Sequence, residues 1–80
     1  MKITIDTKFN IGDRIYAADH YYDYYTSHMP YIISDIIIKM DGRRTQVTYC
    51  VDRGSYTDHF PEEWCFGTYE ECAKWCAEHN

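Results

Sequence analysis

The chain has no long apolar run, no surplus of positive charge and no Cys-x-x-Cys knuckle, and each absence removes a class of function. Its longest apolar stretch, Tyr31 to Met40, is broken by Ser34, Asp35 and Lys39. That is far short of the roughly 20 residues a membrane-spanning helix needs. Met1-Lys2-Ile3-Thr4-Ile5-Asp6 turns charged before any run of signal-peptide length. No targeting segment and no membrane partner are therefore expected, and the expected location is the cytoplasm of the chain's own cell or of a host. A Gly-x-Ser-x-Gly elbow, a His-Glu-x-x-His pair and a phosphate loop are all missing. The chain reads as non-enzymatic, with no catalytic residues and no cofactor.

The charge is unevenly placed. The net charge is −5, yet residues 1–51 hold six acids and six bases, which cancel. The remainder holds Asp52, Asp58, Glu62, Glu63, Glu70, Glu71 and Glu78 against Arg53 and Lys74. Phosphate-backbone binding needs a basic footprint, and none is present, so direct nucleic-acid binding is not expected. The acidic third reads as a solvated surface or as a face that meets a basic partner.

What is there argues for a folded domain. Hydrophobic residues make up 45% and aromatic residues 18%, far from the composition of disordered chains. With 80 residues, a single domain over 1–80 is expected. A domain of this size buries only about 60% of its unfolded surface, so its core is thin and a homo-oligomer would help it.

Periodicity suggests mainly short strands. Met1 to Ile5 reads as a short edge strand. Lys8 to Tyr16 reads as a strand with Phe9, Ile11 and Ile15 on one face and a bend at Gly12-Asp13. Ala17 to Pro30 has no period and reads as a long loop. Tyr31 to Met40 is dense in β-branched residues and reads as the strongest strand, with Ile32, Ile36, Ile38 and Met40 on one face. Asp41-Gly42 predicts a hairpin turn into a strand over Thr45 to Asp52, with Val47, Tyr49 and Val51 inward. Arg53-Gly54-Ser55 signals another turn, Tyr56 to Pro61 is ambiguous, and Trp64-Cys65-Phe66 reads as a short strand.

A helix over 69–79 should close the chain. Thr68 is an N-cap residue with Glu71 three positions on, the pattern of a capping box. Tyr69, Cys72, Ala73 and Cys76 form its apolar stripe. The expected core is Phe9, Ile11, Ile15, Ile32, Ile36, Ile38, Val47, Tyr49, Val51, Trp64 and Phe66.

Phe9-Asn10-Ile11-Gly12-Asp13-Arg14-Ile15-Tyr16 resembles the opening strand of small SH3-like barrels, including KOW- and Tudor-like modules. Trp64-Cys65-Phe66-Gly67-Thr68-Tyr69-Glu70-Glu71-Cys72 is similar to the strand-then-helix ending of many short phage and bacterial proteins. The resemblance implies a partly open antiparallel barrel with the helix across one end; an α+β sheet with one covering helix is the alternative. It also implies a binding module rather than an enzyme. Short phage proteins of this kind include inhibitors of host defence, anti-CRISPR proteins among them. The basic loops of nucleic-acid-binding relatives have no counterpart in this chain.

Four cysteines, Cys50, Cys65, Cys72 and Cys76, offer two readings. They can hold zinc in a structural site or serve as small apolar core residues. Their spacing favours the core, and Cys72 and Cys76 are too far apart on a helix for a disulfide. The best candidate site is instead tyrosine-rich: Tyr21, Tyr22, Tyr24, Tyr25 and Tyr31, with Asp58, Glu62 and Glu63 from the acidic third. Tyrosine supplies large contact area at low entropic cost and is common at interface hot spots. The expected function is a protein-binding module, in its sharper form a phage-type inhibitor seated on a basic, nucleic-acid-handling host protein. The alternative is a structural domain stabilised by zinc or by self-association.

Overall fold

A computed structural model describes residues 5–80. The edge strand expected over 1–5 lies, but for Ile5, outside the described residues. The expected class forms: the described residues hold seven strands and one C-terminal helix. The strands make two antiparallel sheets that do not close into a barrel.

Strand β1 spans Arg14–His20, not Lys8 to Tyr16 as its pattern predicts. The segment before it is a tight turn. Asp13 Oδ2 accepts from the Asn10 N–H at 2.8 Å, the Asp13 N–H bonds back to Asn10 O, and Gly12 sits at φ +93°. That angle suits glycine, so Gly12-Asp13 ends a turn rather than bending a strand. Ile11, expected in the core, is left 63% exposed at this turn.

The strand then runs on through residues expected to be loop. Ile15 and Ala17 are buried toward one side of β1, while Tyr16 and Ala18 pack toward the other. A strand covered on both faces loses the inside–outside alternation that marks strands in sequence. Strand β2, Tyr24–Thr26, turns back on β1, with Ala18, Asp19 and His20 opposite Thr26, Tyr25 and Tyr24.

The predicted strand over 31–40 is two strands, β3 (Tyr31–Ile32) and β4 (Asp35–Met40). At the break the chain changes sheets. Ile33 exchanges backbone bonds with Gly12 and Asp13, and the Ser34 N–H bonds to Cys50 O. The switch moves the buried position by one residue: Ile33 is enclosed and Ile32 is 57% exposed. Ile38 and Met40 are exposed as well, so only Ile36 of that predicted face meets the core.

Strand β5 (Thr45–Asp52) forms as expected, with Val47, Tyr49 and Val51 buried. It is the middle strand between β4 and β6 (Thr57–Pro61). A 3-10 turn, Glu62–Trp64, leads to β7 (Cys65–Phe66). Along its length β1 pairs with β3, then β7, then β2.

Helix α1 spans Tyr69–His79. The Thr68 hydroxyl oxygen accepts from the Glu71 N–H at 3.2 Å, and the hydroxyl lies 3.0 Å from the Glu71 carboxylate. Half of the capping box is thus made as predicted, while the carboxylate takes the hydroxyl rather than the backbone amide. Cys72 and Cys76 are buried against Ala18, Trp64, Phe66 and Trp75. The helix covers one face of the β1 sheet instead of a barrel end, and the β4–β5–β6 sheet covers the other. Trp64 and Phe66, expected in one common core, belong to this helix-side cluster, half-buried.

One polar joint ties the layers together. The Tyr49 side chain is fully enclosed, and its hydroxyl donates to Glu62 Oε2 at 2.5 Å while accepting from the Phe9 N–H at 3.1 Å. Glu62 Oε2 also accepts from the Lys8 N–H, and the Phe9 ring meets Tyr49 edge-on at 5.7 Å. Removing one partner of such a buried set costs about 1–3 kcal/mol, because the others are left unsatisfied. Tyr49→Phe is therefore expected to destabilise the fold by about 2 kcal/mol in urea unfolding. Glu62→Ala is expected to cost less once Tyr49→Phe is present, and strict additivity of the two would show that they do not act as one joint.

Candidate binding surface

The tyrosine-rich segment is a hairpin, and its geometry divides the tyrosines. The turn between β1 and β2 closes with a bond from the Tyr21 N–H to Asp23 O. Tyr21 and Tyr22 stand at its tip, 74% and 83% exposed, with their rings edge-to-face at 4.5 Å. The rings meet each other and open to solvent on their remaining sides, and Asp23 follows them in the turn.

Beyond the tip, alternation sends successive side chains to opposite faces. Tyr24 points to the helix side. Its ring lies edge-on to Trp64 at 5.5 Å and to Trp75 at 4.9 Å. The Asn80 amide holds its backbone on both sides, accepting from the Tyr24 N–H and donating to Tyr24 O. Tyr24 is thus a structural residue, contrary to its expected place in a binding loop.

Tyr25 points the other way, half exposed and opposite Asp19. The Asp19 carboxylate beside it, with some burial, raises the phenol's pKa; the charges of Tyr31 and Asp58 act in the same direction. Tyr31 and Asp58 share one neighbourhood through Arg53. Within it Tyr31 is already engaged. Its ring stacks on Phe60 at 5.7 Å, and the Arg53 guanidinium sits 4.6 Å above it. Arg53 also pairs with Asp58 at 3.3 Å. The sequence marks Arg53 only as part of the Arg53-Gly54-Ser55 turn, which the bond from its N–H to Tyr56 O closes, and gives no signal of its place over Tyr31.

Glu62 and Glu63 lie elsewhere. With Arg44, Thr45, Gln46, Val47, Thr48 and Pro61 they line a cleft of about 320 Å³ beside the start of β5. Glu62 is held there by Tyr49. Four of the seven acids in the last third have local partners: Asp52 accepts from the Gly54 N–H in a turn, Asp58 pairs with Arg53, Glu62 binds Tyr49 and Glu71 meets the helix cap. The acidic third is not one uniform face. The most exposed part of the expected site is the hairpin tip, Tyr21 and Tyr22, flanked by Tyr25 with Asp19 and Asp23.

The cysteines fall into separate places. Cys65 belongs to the cluster around Tyr49, and Cys72 and Cys76 belong to the helix-side cluster. All four are free and buried, and no three His, Cys, Asp or Glu side chains converge on a metal position among the described residues. Burial pushes the Cys65 thiol up to about 12 and, with Cys72 beside it, the Cys76 thiol up to about 11, from an ordinary 9.0. Burial and the bond to Glu62 likewise lift Tyr49 to about 12 from 10.0. The folded chain keeps these protons where the unfolded chain releases them. Stability from these groups is thus whole below pH 9.0 and falls as pH rises toward 12. The urea midpoint is expected to drop steadily above pH 9.0, and a midpoint that holds or rises there would contradict the burial of these groups.

The chain matches no family model, no curated protein and no solved structure, so the chemistry of its own surface carries the functional reading.

Proposed function

We propose that the chain is a non-catalytic protein-binding module that engages its partner through the tip of the β1–β2 hairpin. The observation that supports this is the pair Tyr21 and Tyr22, the two most exposed tyrosines of the chain, held on a two-strand stem whose base is buried. A rigid stem lowers the entropy lost when such side chains are immobilised on a partner. Tyrosine is amphipathic and is enriched at hot spots. Asp19 and Asp23 flank the rings, which suits a basic partner and opposes the phosphates of a nucleic acid. In its sharper form the module is an inhibitor, of the kind phage direct at host defence, that occupies a basic nucleic-acid-handling protein. The net charge of −5 supports that choice of partner.

The test is affinity capture followed by binding of the purified partner to hairpin variants. Tyr21→Ala and Tyr22→Ala are each expected to weaken binding by about tenfold or more, as hot-spot truncations do. Both should leave the melting temperature nearly unchanged, as exposed substitutions do. Tyr24→Ala is the contrasting variant and should lower the melting temperature by several degrees through loss of its packing on Trp64 and Trp75. A folded Tyr21→Ala, Tyr22→Ala double variant that still binds at full strength would remove the hairpin tip from the interface.

A further inference from the structure

Strand β4 is an edge strand. It pairs with β5 from Asp35 opposite Cys50 to Met40 opposite Thr45, and no strand pairs with its other side among the described residues. Ile37 is 49% exposed on one face, and Ile38 and Met40 are exposed on the other. A run of β-branched residues on an open edge is a template for another strand. Edges of this kind are ordinarily guarded by a lysine, and Lys39 stands in that place.

The guard is matched by its opposite. Asp35-Ile36-Ile37-Ile38-Lys39 reads acid, isoleucine, isoleucine, isoleucine, base, so its chemistry inverts about Ile37. Two such strands, antiparallel about a two-fold axis through Ile37, place Asp35 of each copy against Lys39 of the other. Ile36 then faces Ile38 twice, and Ile37 faces its own image. Opposite charges and β-branched pairs directly across a sheet are the stabilising kind. A slip of one residue ends the match: with the axis between Ile37 and Ile38, Asp35 meets Met40 and Ile36 meets Lys39. Parallel pairing in register would put like charges together.

Two further features agree. Asp35, Ile37 and Lys39 share the face away from Tyr49, while Ile36 and Ile38 lie beside Tyr49 and Val47, so a second copy would extend the cluster that Ile36 already joins. Residues 35–45 hold Asp35 and Asp41 against Lys39, Arg43 and Arg44. Two copies of an acidic chain would therefore meet where their net negative charge is absent.

We propose that the chain forms a two-fold homodimer by antiparallel pairing of β4 with β4, in the register that sets Asp35 against Lys39, giving one continuous six-stranded sheet. Sedimentation of the purified chain across a dilution series reads the mass directly. The wild type is expected to pass from dimer to monomer on dilution. Asp35→Lys and Lys39→Asp each create two like-charge pairs and should weaken the dimer by about tenfold or more, with unchanged circular dichroism. An equimolar mixture of the two variants restores both attractive pairs and should sediment as a mixed dimer, as should the homodimer of the double variant. A wild type that stays monomeric to millimolar concentration would overturn the proposal. So would single variants that dimerise like wild type, or a mixture no tighter than its components.

Discussion

The enclosed hydroxyl of Tyr49 is the point on which the two sheets depend. Tyr49 belongs to the β4–β5–β6 sheet, yet its hydroxyl binds the segment that feeds β1, through Phe9, and the turn that feeds β7, through Glu62. Both of those strands belong to the other sheet. Apolar contacts between sheets are forgiving of small slides, because they depend on area rather than direction. A buried hydroxyl with one donor and one acceptor role filled is directional, so it sets the position of one sheet on the other. In a small domain with a thin core, such a joint matters more than it would in a larger one.

The second constraint is that β1 is covered on both faces. Its two small residues, Ala17 and Ala18, let the other sheet and the helix approach from either side. This divides the interior into two clusters, one with Cys65 and the other with Cys72 and Cys76, where the thiols act as small apolar groups. It also explains the hairpin beyond. Once Tyr24 is turned to the helix and Tyr25 to the opposite side, only the tip residues remain without intramolecular work. The same stem that buries Tyr24 therefore presents Tyr21 and Tyr22.

Charge follows a similar division of labour. The last third is strongly acidic, but several of its carboxylates stabilise turns, a cap, an ion pair and the Tyr49 joint. What is left to meet a partner is smaller than the composition suggests. The hairpin tip with Asp19 and Asp23 draws on acids from residues 1–51, where the net charge is zero. The β4 edge is close to neutral by the same accounting, so the two exposed surfaces differ in the partners they suit.

Local signals were enough for the elements whose cause is local. The closing helix and its Thr68 cap, the Asp41-Gly42 hairpin, the inward face of β5 and the apolar role of Cys72 and Cys76 all follow from residue type and spacing over a few positions. The mainly β class with one terminal helix follows from their sum. The misreadings share a different origin. Ala17-Ala18 looked like loop because a strand buried on both sides does not alternate. Tyr31 to Met40 looked like one strand because nothing in its residues marks the point at which Ile33 and Ser34 pass from one sheet to the other. Ile11 looks inward because a glycine inside an alternating pattern signals a bend within a strand. The five tyrosines looked like one site because sequence proximity cannot say which face of a hairpin each side chain takes. The sequence by itself determined which residues favour strand, turn and helix; only the tertiary structure decided which faces are covered, because burial is set by contacts between segments distant in the chain.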